Sequence, residues 1–125
     1  MEFHTRKAIY QQIGDFLCGR IISGEWPEES RLPSVRDLAL TLSVNPNTVM
    51  RTCLEMERHG ILSNQRGVGL FVAKEGKEKA RALMREEFES HDLPALVAAM
   101  TMLDIDADGL NALIRKHIRK IRGNP

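Results

Sequence analysis

Ser43-Val44-Asn45-Pro46-Asn47-Thr48-Val49-Met50-Arg51 is the stretch whose reading decides the fold. Asn45 suits a helix N-cap, and Pro46 suits the first helical position, where its missing N–H costs nothing. At about 100° per residue from Val49, the positions Val49, Cys53, Met56 and Gly60 form one stripe. Asn47, Arg51 and Arg58 fall on the opposite side, and Thr48 flanks the first turn. An apolar back with amide, hydroxyl and guanidinium groups on exposed first turns suits a DNA major groove. There Asn can pair with adenine and Arg with guanine, while a helix N-terminus attracts phosphate. The stretch reads as a recognition helix.

Downstream, Ile61-Leu62-Ser63 and Leu70-Phe71-Val72 are short β-type runs that bracket Asn64-Gln65-Arg66-Gly67-Val68-Gly69. This pattern predicts a hairpin with one arginine at its tip. Upstream, a helix opens at Ser34, with Asp37 three residues on as a variant capping box. Leu38, Ala39 and Leu42 face inward and Arg36 projects outward. Helix, short turn, helix, then a basic-tipped hairpin is the winged helix-turn-helix plan. The expected fold is mainly α with a small β-hairpin, residues 1–73 forming the winged helix-turn-helix.

Three motifs carry a family resemblance: Leu32-Pro33-Ser34-Val35-Arg36-Asp37-Leu38-Ala39, Val44-Asn45-Pro46-Asn47-Thr48-Val49, and Arg66-Gly67-x-Gly69-x-Phe71-Val72. In this order and spacing they resemble the GntR family of bacterial transcription regulators over roughly residues 8–73. The Asn-Pro-Asn-Thr-Val segment and the short tail are similar to the YtrA-like subfamily. The resemblance implies a homodimeric regulator, a repressor at an inverted-repeat operator, with transporter genes among its targets. It also implies that Arg36 contacts DNA and that Arg66-Gly67 enters the minor groove, where a narrow A·T tract attracts arginine. The DNA-binding set is therefore Arg36, Asn45, Asn47, Thr48, Arg51, Arg66 and Gly67, with double-stranded DNA as partner.

Several positions depart from the family pattern. Glu28-Glu29 stands where relatives carry Pro-Gly, and Ser43 where helix-turn-helix proteins often carry Gly. Thr52-Cys53 replaces an Ala-Tyr pair, and Leu54 falls near the polar face of its helix without an evident partner. Arg31 divides between a phosphate contact and a solvated charge.

Working outward, residues 1–7 read as an arm, and a first helix runs from about Ala8 to Ser23. Its Ile9, Ile13, Phe16, Leu17 and Ile21 face the core. Tyr10 and Trp26 read as packing residues. Beyond Ala73 the composition turns strongly charged over Lys74 to Lys79, a helix lead-in or hinge. Three helices follow, broken at Ser90-His91-Asp92 and again before Ala107, the second opening at Asp92 and Pro94. Their apolar stripes are too extensive for a short tail to hide alone. Residues 74–125 are thus expected to form a helical dimerisation region. Leu83, Phe88, Leu96, Val97, Met100, Leu103, Leu113 and Ile114 are its contact residues.

Composition narrows the alternatives. At 125 residues, the chain allows one domain or a small domain with an extension. With 42% hydrophobic and 28% charged residues it is ordinary for a folded soluble chain, and 5% aromatics imply an aliphatic, Met-rich core. No hydrophobic run follows Met1 to Lys7, and the apolar tract Leu93–Leu103 is too short to span a bilayer. A cytoplasmic protein without membrane contact is expected. Cys18 and Cys53 then read as free buried thiols, with redox sensing a minor alternative. The formal net charge is only +1, and residues 1–73 hold eight basic and eight acidic side chains. This neutrality leaves room for a second reading, a winged-helix protein-interaction module without specific DNA binding.

Asp104-Ile105-Asp106-Ala107-Asp108-Gly109 matches the opening of an EF-hand loop, but its twelfth position is Arg115 rather than a bidentate Glu. Asp106 reads instead as an N-cap. No Walker loop, nucleophile elbow or paired-histidine zinc motif is present, so no enzyme, metal or cofactor is expected. No residue pattern identifies a small-molecule effector.

Overall fold

Apolar side chains recurring at helical spacing draw three helices around one core. In the computed structural model, which describes residues 8–123, these are α1 (Ile9–Ile22), α2 (Val35–Leu42) and α3 (Pro46–Arg58). The expected arm over residues 1–7 lies outside the described residues. The core joins Ile13, Leu17, Cys18 and Ile21 of α1 to Leu38 and Ala39 of α2 and to Val49, Cys53 and Met56 of α3. Ile9, expected to face inward, is instead half exposed, because α1 begins there and its first turn overhangs the core.

Capping follows the sequence. Ser34 Oγ accepts from the Asp37 N–H at 3.0 Å, and Asn45 Oδ1 accepts from the Asn47 N–H at 2.7 Å. Between α2 and α3, Ser43 takes a left-handed conformation, φ 56°, and the Val44 N–H returns to the Ala39 carbonyl. The turn usually made by glycine is therefore made by serine at some backbone cost. At Glu29 the family's glycine is also missing, yet its φ of 65° keeps the left-handed turn. The Glu29 N–H donates to Val72 O, and Val72 N–H donates to Ser30 O. Those two bonds hold a conformation that glutamate alone would avoid.

Helix α3 ends at His59 and Gly60, whose φ of 76° turns the chain into the wing. Strands β1 (Leu62–Gln65) and β2 (Gly69–Val72) pair antiparallel, Leu62 opposite Val72 and Gln65 opposite Gly69. Arg31 makes an isolated antiparallel bridge to Phe71 on the far edge of β2, and the Leu32 N–H donates to Leu70 O beside it, so the segment before α2 is tied to that edge. The result is a mainly helical fold with a two-stranded hairpin.

Helix α4 (Gly76–Glu87) packs along α1 and buries Ala80, with Leu83 and Met84 half-buried against the same core. Gly76 is buried too. A Cβ there would stand 2.6 Å from Ile61 O, so the charged lead-in is seated on the wing's base and is no free hinge. The first compact unit runs through Glu87 and so includes α4.

The second unit begins at Phe88. The expected break at Ser90-His91-Asp92 is a π-helical turn, Phe88–Asp92, and Asp92 has helical dihedrals and makes no side-chain cap. The chain keeps its helical course because no residue there prefers extended backbone strongly enough to leave it. Helix α5 (Leu93–Leu103) ends on left-handed Asp104, and α6 (Ala107–Ile121) starts where Asp106 Oδ1 accepts from the Gly109 N–H at 2.8 Å. No residue of α5 or α6 is buried. No helix among the described residues is long and apolar enough to cross a membrane.

Candidate nucleic-acid interface

The buried side of α3 fixes what its outer side shows. Val49, Thr52, Cys53 and Met56 are inside, so Asn47, Met50, Arg51, Leu54 and Arg58 are outside. The Thr52 hydroxyl, only 1% exposed, was not part of the expected stripe. It donates to Thr48 O at 3.0 Å and reaches Tyr10 O at 3.3 Å, which satisfies it and ties α3 to α1. Thr48 is half-buried beside it.

Asn47 is exposed, and its side chain makes no hydrogen bond among the described residues. Asn45 spends its Oδ1 on the cap, which leaves its Nδ2 to donate outward. Arg51 does not simply extend into solvent. Its Cζ lies 4.8 Å from the centroid of the Tyr10 ring, a cation–π contact across two helices. Arg58 pairs with Glu55, which His59 also approaches. Arg36 is exposed on α2.

At the wing, the hairpin tip is Arg66-Gly67-Val68, closed by the Val68 N–H to Gln65 O at 2.9 Å, and all three residues are exposed. Gly67 has φ 78°, a value side chains avoid. Arg31 has a structural task. It lies over Gly69, where a Cβ would stand 2.9 Å from its Nε. This packing joins residues from different segments, so periodicity and turn chemistry carry no sign of it.

Between α1, α3 and α4 lies a cleft of about 280 Å³, lined among others by Tyr10, Arg51, Cys18 and Met56. At its floor the Cys18 thiol meets Met56 Sδ at 3.8 Å. Burial, aided by the charges of Asp15 and Glu87, pushes the Cys18 thiol up to about 12, and burial alone raises Cys53 to about 11. Both cysteines are free and held as thiols.

The predicted dimerisation residues divide. Leu83 is half-buried against the first unit's core, and Leu96 and Met100 are half-buried in the second. Phe88, Val97, Leu103, Leu113 and Ile114 are exposed.

A capped helix with amide and guanidinium groups outward, followed by a basic-tipped wing, defines a winged-helix DNA-binding protein. The sequence pattern of the bacterial regulatory proteins, gntR family, matches residues 9–72. The chain belongs to this family of transcriptional regulators. It is 42% identical over 91 residues to the uncharacterized HTH-type transcriptional regulator YhcF of Bacillus subtilis, covering 70% of this chain and 75% of that one. The HTH-type transcriptional repressor YtrA of the same organism is 38% identical over 69 residues, covering 55% of this chain and 53% of YtrA. A putative GntR-family regulator from Bacteroides thetaiotaomicron superposes with a TM-score of 0.71 at 33% identity, over 90% of this chain and 98% of that one. These relatives are regulators, not enzymes.

Proposed function

We propose that this regulator binds an inverted-repeat operator as a homodimer and acts as a repressor in the cytoplasm. The observation that carries the reading is the outer face of α3, where Asn47 and Arg51 stand clear of the core on a helix capped by Asn45. In this reading α3 enters the major groove, Arg36 and the α3 N-terminus meet phosphates, and Arg66-Gly67 enters the flanking minor groove. Asn45 and Thr48 lie at the edge of the contact. Repression draws support from the similarity to YtrA, and the subfamily likeness makes transporter genes the first candidates for control.

Dimerisation rests on the second unit. Val97, Leu103, Leu113, Ile114 and Ile118 are each 42–57% exposed in a single chain, an apolar surface that a second copy would cover. A dimer formed through α5 and α6 would carry two recognition helices, as many as an inverted repeat with half-sites about 34–36 Å apart requires.

A gel-shift titration against genomic fragments at two salt concentrations tests the DNA reading. Selective shifts that weaken steeply with salt are expected, and Asn47→Ala with Arg51→Ala should abolish selectivity while the protein stays folded. Sedimentation of the full chain, alone and as the Val97→Asp, Ile114→Asp double variant, tests assembly. A monomeric wild type at micromolar concentration would remove the dimer from the proposal.

A further inference from the structure

Met50 and Leu54 are exposed apolar residues on α3, 46% and 48% accessible. We infer that they form a methyl-reading pair, which recognises the C5-methyl groups of thymine in the major groove. This rests on the DNA-binding reading above and assigns two further specificity determinants to it.

The placement is carried by helix phase. Seven residues turn an α-helix almost two full times, so Leu54 lies within about 20° of Asn47, and Met50 about 60° to one side of it. Arg51 lies about 40° to the other side, drawn toward Tyr10 on α1. Past the first turn, Met50 and Leu54 make one side of the outward face apolar, while Arg51 and Arg58 make the other side basic. Met50 and Leu54 are one turn apart, about 6 Å along the axis, close to two base-pair steps.

Among the described residues, neither side chain packs into or against the core. The shallow depression beside Leu54 is lined only by Leu54, Glu57 and Arg58. The other large apolar side chains that the first unit exposes include Leu40 on α2, one turn after Arg36, and Val68 at the wing tip. With Ile9 at the start of α1 the exception, the first unit's exposed large apolar side chains lie on α2, α3 and the wing, the elements proposed to approach DNA. In the major groove, each base pair offers a distinct edge, and thymine alone presents a methyl group. An apolar pair flanked by Asn47 and Arg51 has a chemical counterpart there and none among phosphates.

Uracil isolates the methyl group, because it keeps thymine's pairing edge and O4 acceptor. An operator would be selected from a randomised duplex pool with the full-length wild-type protein. Each thymine of a half-site would then be replaced singly by deoxyuridine, and affinity read by fluorescence anisotropy. One or two replacements should weaken the wild type about three- to fivefold each, the loss of roughly one buried methyl group. At those positions Met50→Ala or Leu54→Ala should bind the two duplexes equally, while thermal melting confirms that each variant is folded.

A selected operator with no uracil-sensitive thymine would overturn the inference and leave the DNA-binding reading standing. So would sensitivity that persists in both alanine variants, which would mark an effect of the methyl on DNA shape. Failure to select any operator would overturn the DNA-binding reading and the inference together.

Discussion

Replacing Gly76 by alanine should destabilise the first unit, whereas the same replacement at Gly19 should stabilise it. At Gly76 the new Cβ would stand 2.6 Å from Ile61 O and 3.0 Å from Val72 Cγ1. Ile61 O cannot step aside, because it accepts from the Ala73 N–H at 2.9 Å, the bond that closes the wing's base. Relief requires α4 to lift from the hairpin. Overpacking of this kind costs about 1–3 kcal/mol, against a helix-propensity gain of at most about 1 kcal/mol, smaller still in a first turn. The net loss is about 1–2 kcal/mol, or roughly 5–15 °C in Tm for a unit of this size. At Gly19, inside α1, a Cβ meets nothing within 4 Å, so only the propensity gain of about 0.5–1 kcal/mol remains. The sole tryptophan makes the assay specific. Trp26 packs edge-on against Phe16, ring centroids 6.2 Å apart, and its fluorescence reports the first unit alone. A Gly76→Ala protein melting at or above wild type by this signal would refute the seating of α4 on the wing, and a destabilised Gly19→Ala protein would refute the open surface at that position.

Removing the α3 cap with Asn45→Ala should cost about 1 kcal/mol in urea unfolding, with an unchanged m-value. Arg66→Ala should weaken operator binding chiefly when the flanks are A·T-rich; an equal loss on every flank would mark a plain phosphate contact. The thiols give the protein an alkaline limit. Above pH 9 an unfolded chain releases cysteine protons that the native state holds up to about 11 and 12, so stability is complete below pH 9 and falls as pH rises through 11–12. A Cys18→Ala, Cys53→Ala variant should show a shallower alkaline loss of stability, and the wild-type thiols should react with Ellman's reagent only as fast as the protein unfolds.

Local signals were the legible ones. Asn45-Pro46 and Ser34 announced their caps because capping is settled within three residues, and the hairpin followed from a change of period across Gly60 to Val72. Arg36, Asn47 and Arg66 could be placed outward from periodicity and turn chemistry alone. What the sequence hid depends on segments far apart in the chain. Nothing in α1 says that Tyr10 lies under Arg51, and nothing in the run Lys74 to Lys79 says that Gly76 touches Ile61. Leu83 shared a stripe with Phe88, yet one side chain packs on the first core and the other belongs to the second unit. The break expected at Ser90-His91-Asp92 failed for a related reason, since polar residues permit a helix to end without requiring it. Periodicity alone sets Leu54 on the outward face, where it is exposed. Its meaning was obscure because exposure of a leucine is informative only once the side chains around it are known.

The contact between Arg51 and Tyr10 bears on when recognition is decided. A free arginine carries about 2 kcal/mol of rotamer entropy, which a base contact must overcome as it forms. Here the ring of Tyr10, on a helix anchored in the core, already narrows the guanidinium's range before any duplex arrives. For the base contact proposed for Arg51, much of the ordering is completed during folding, and the loss on association is correspondingly smaller. Tyr10 would then govern affinity without touching DNA, and a change at that position would show first in how long a complex lasts.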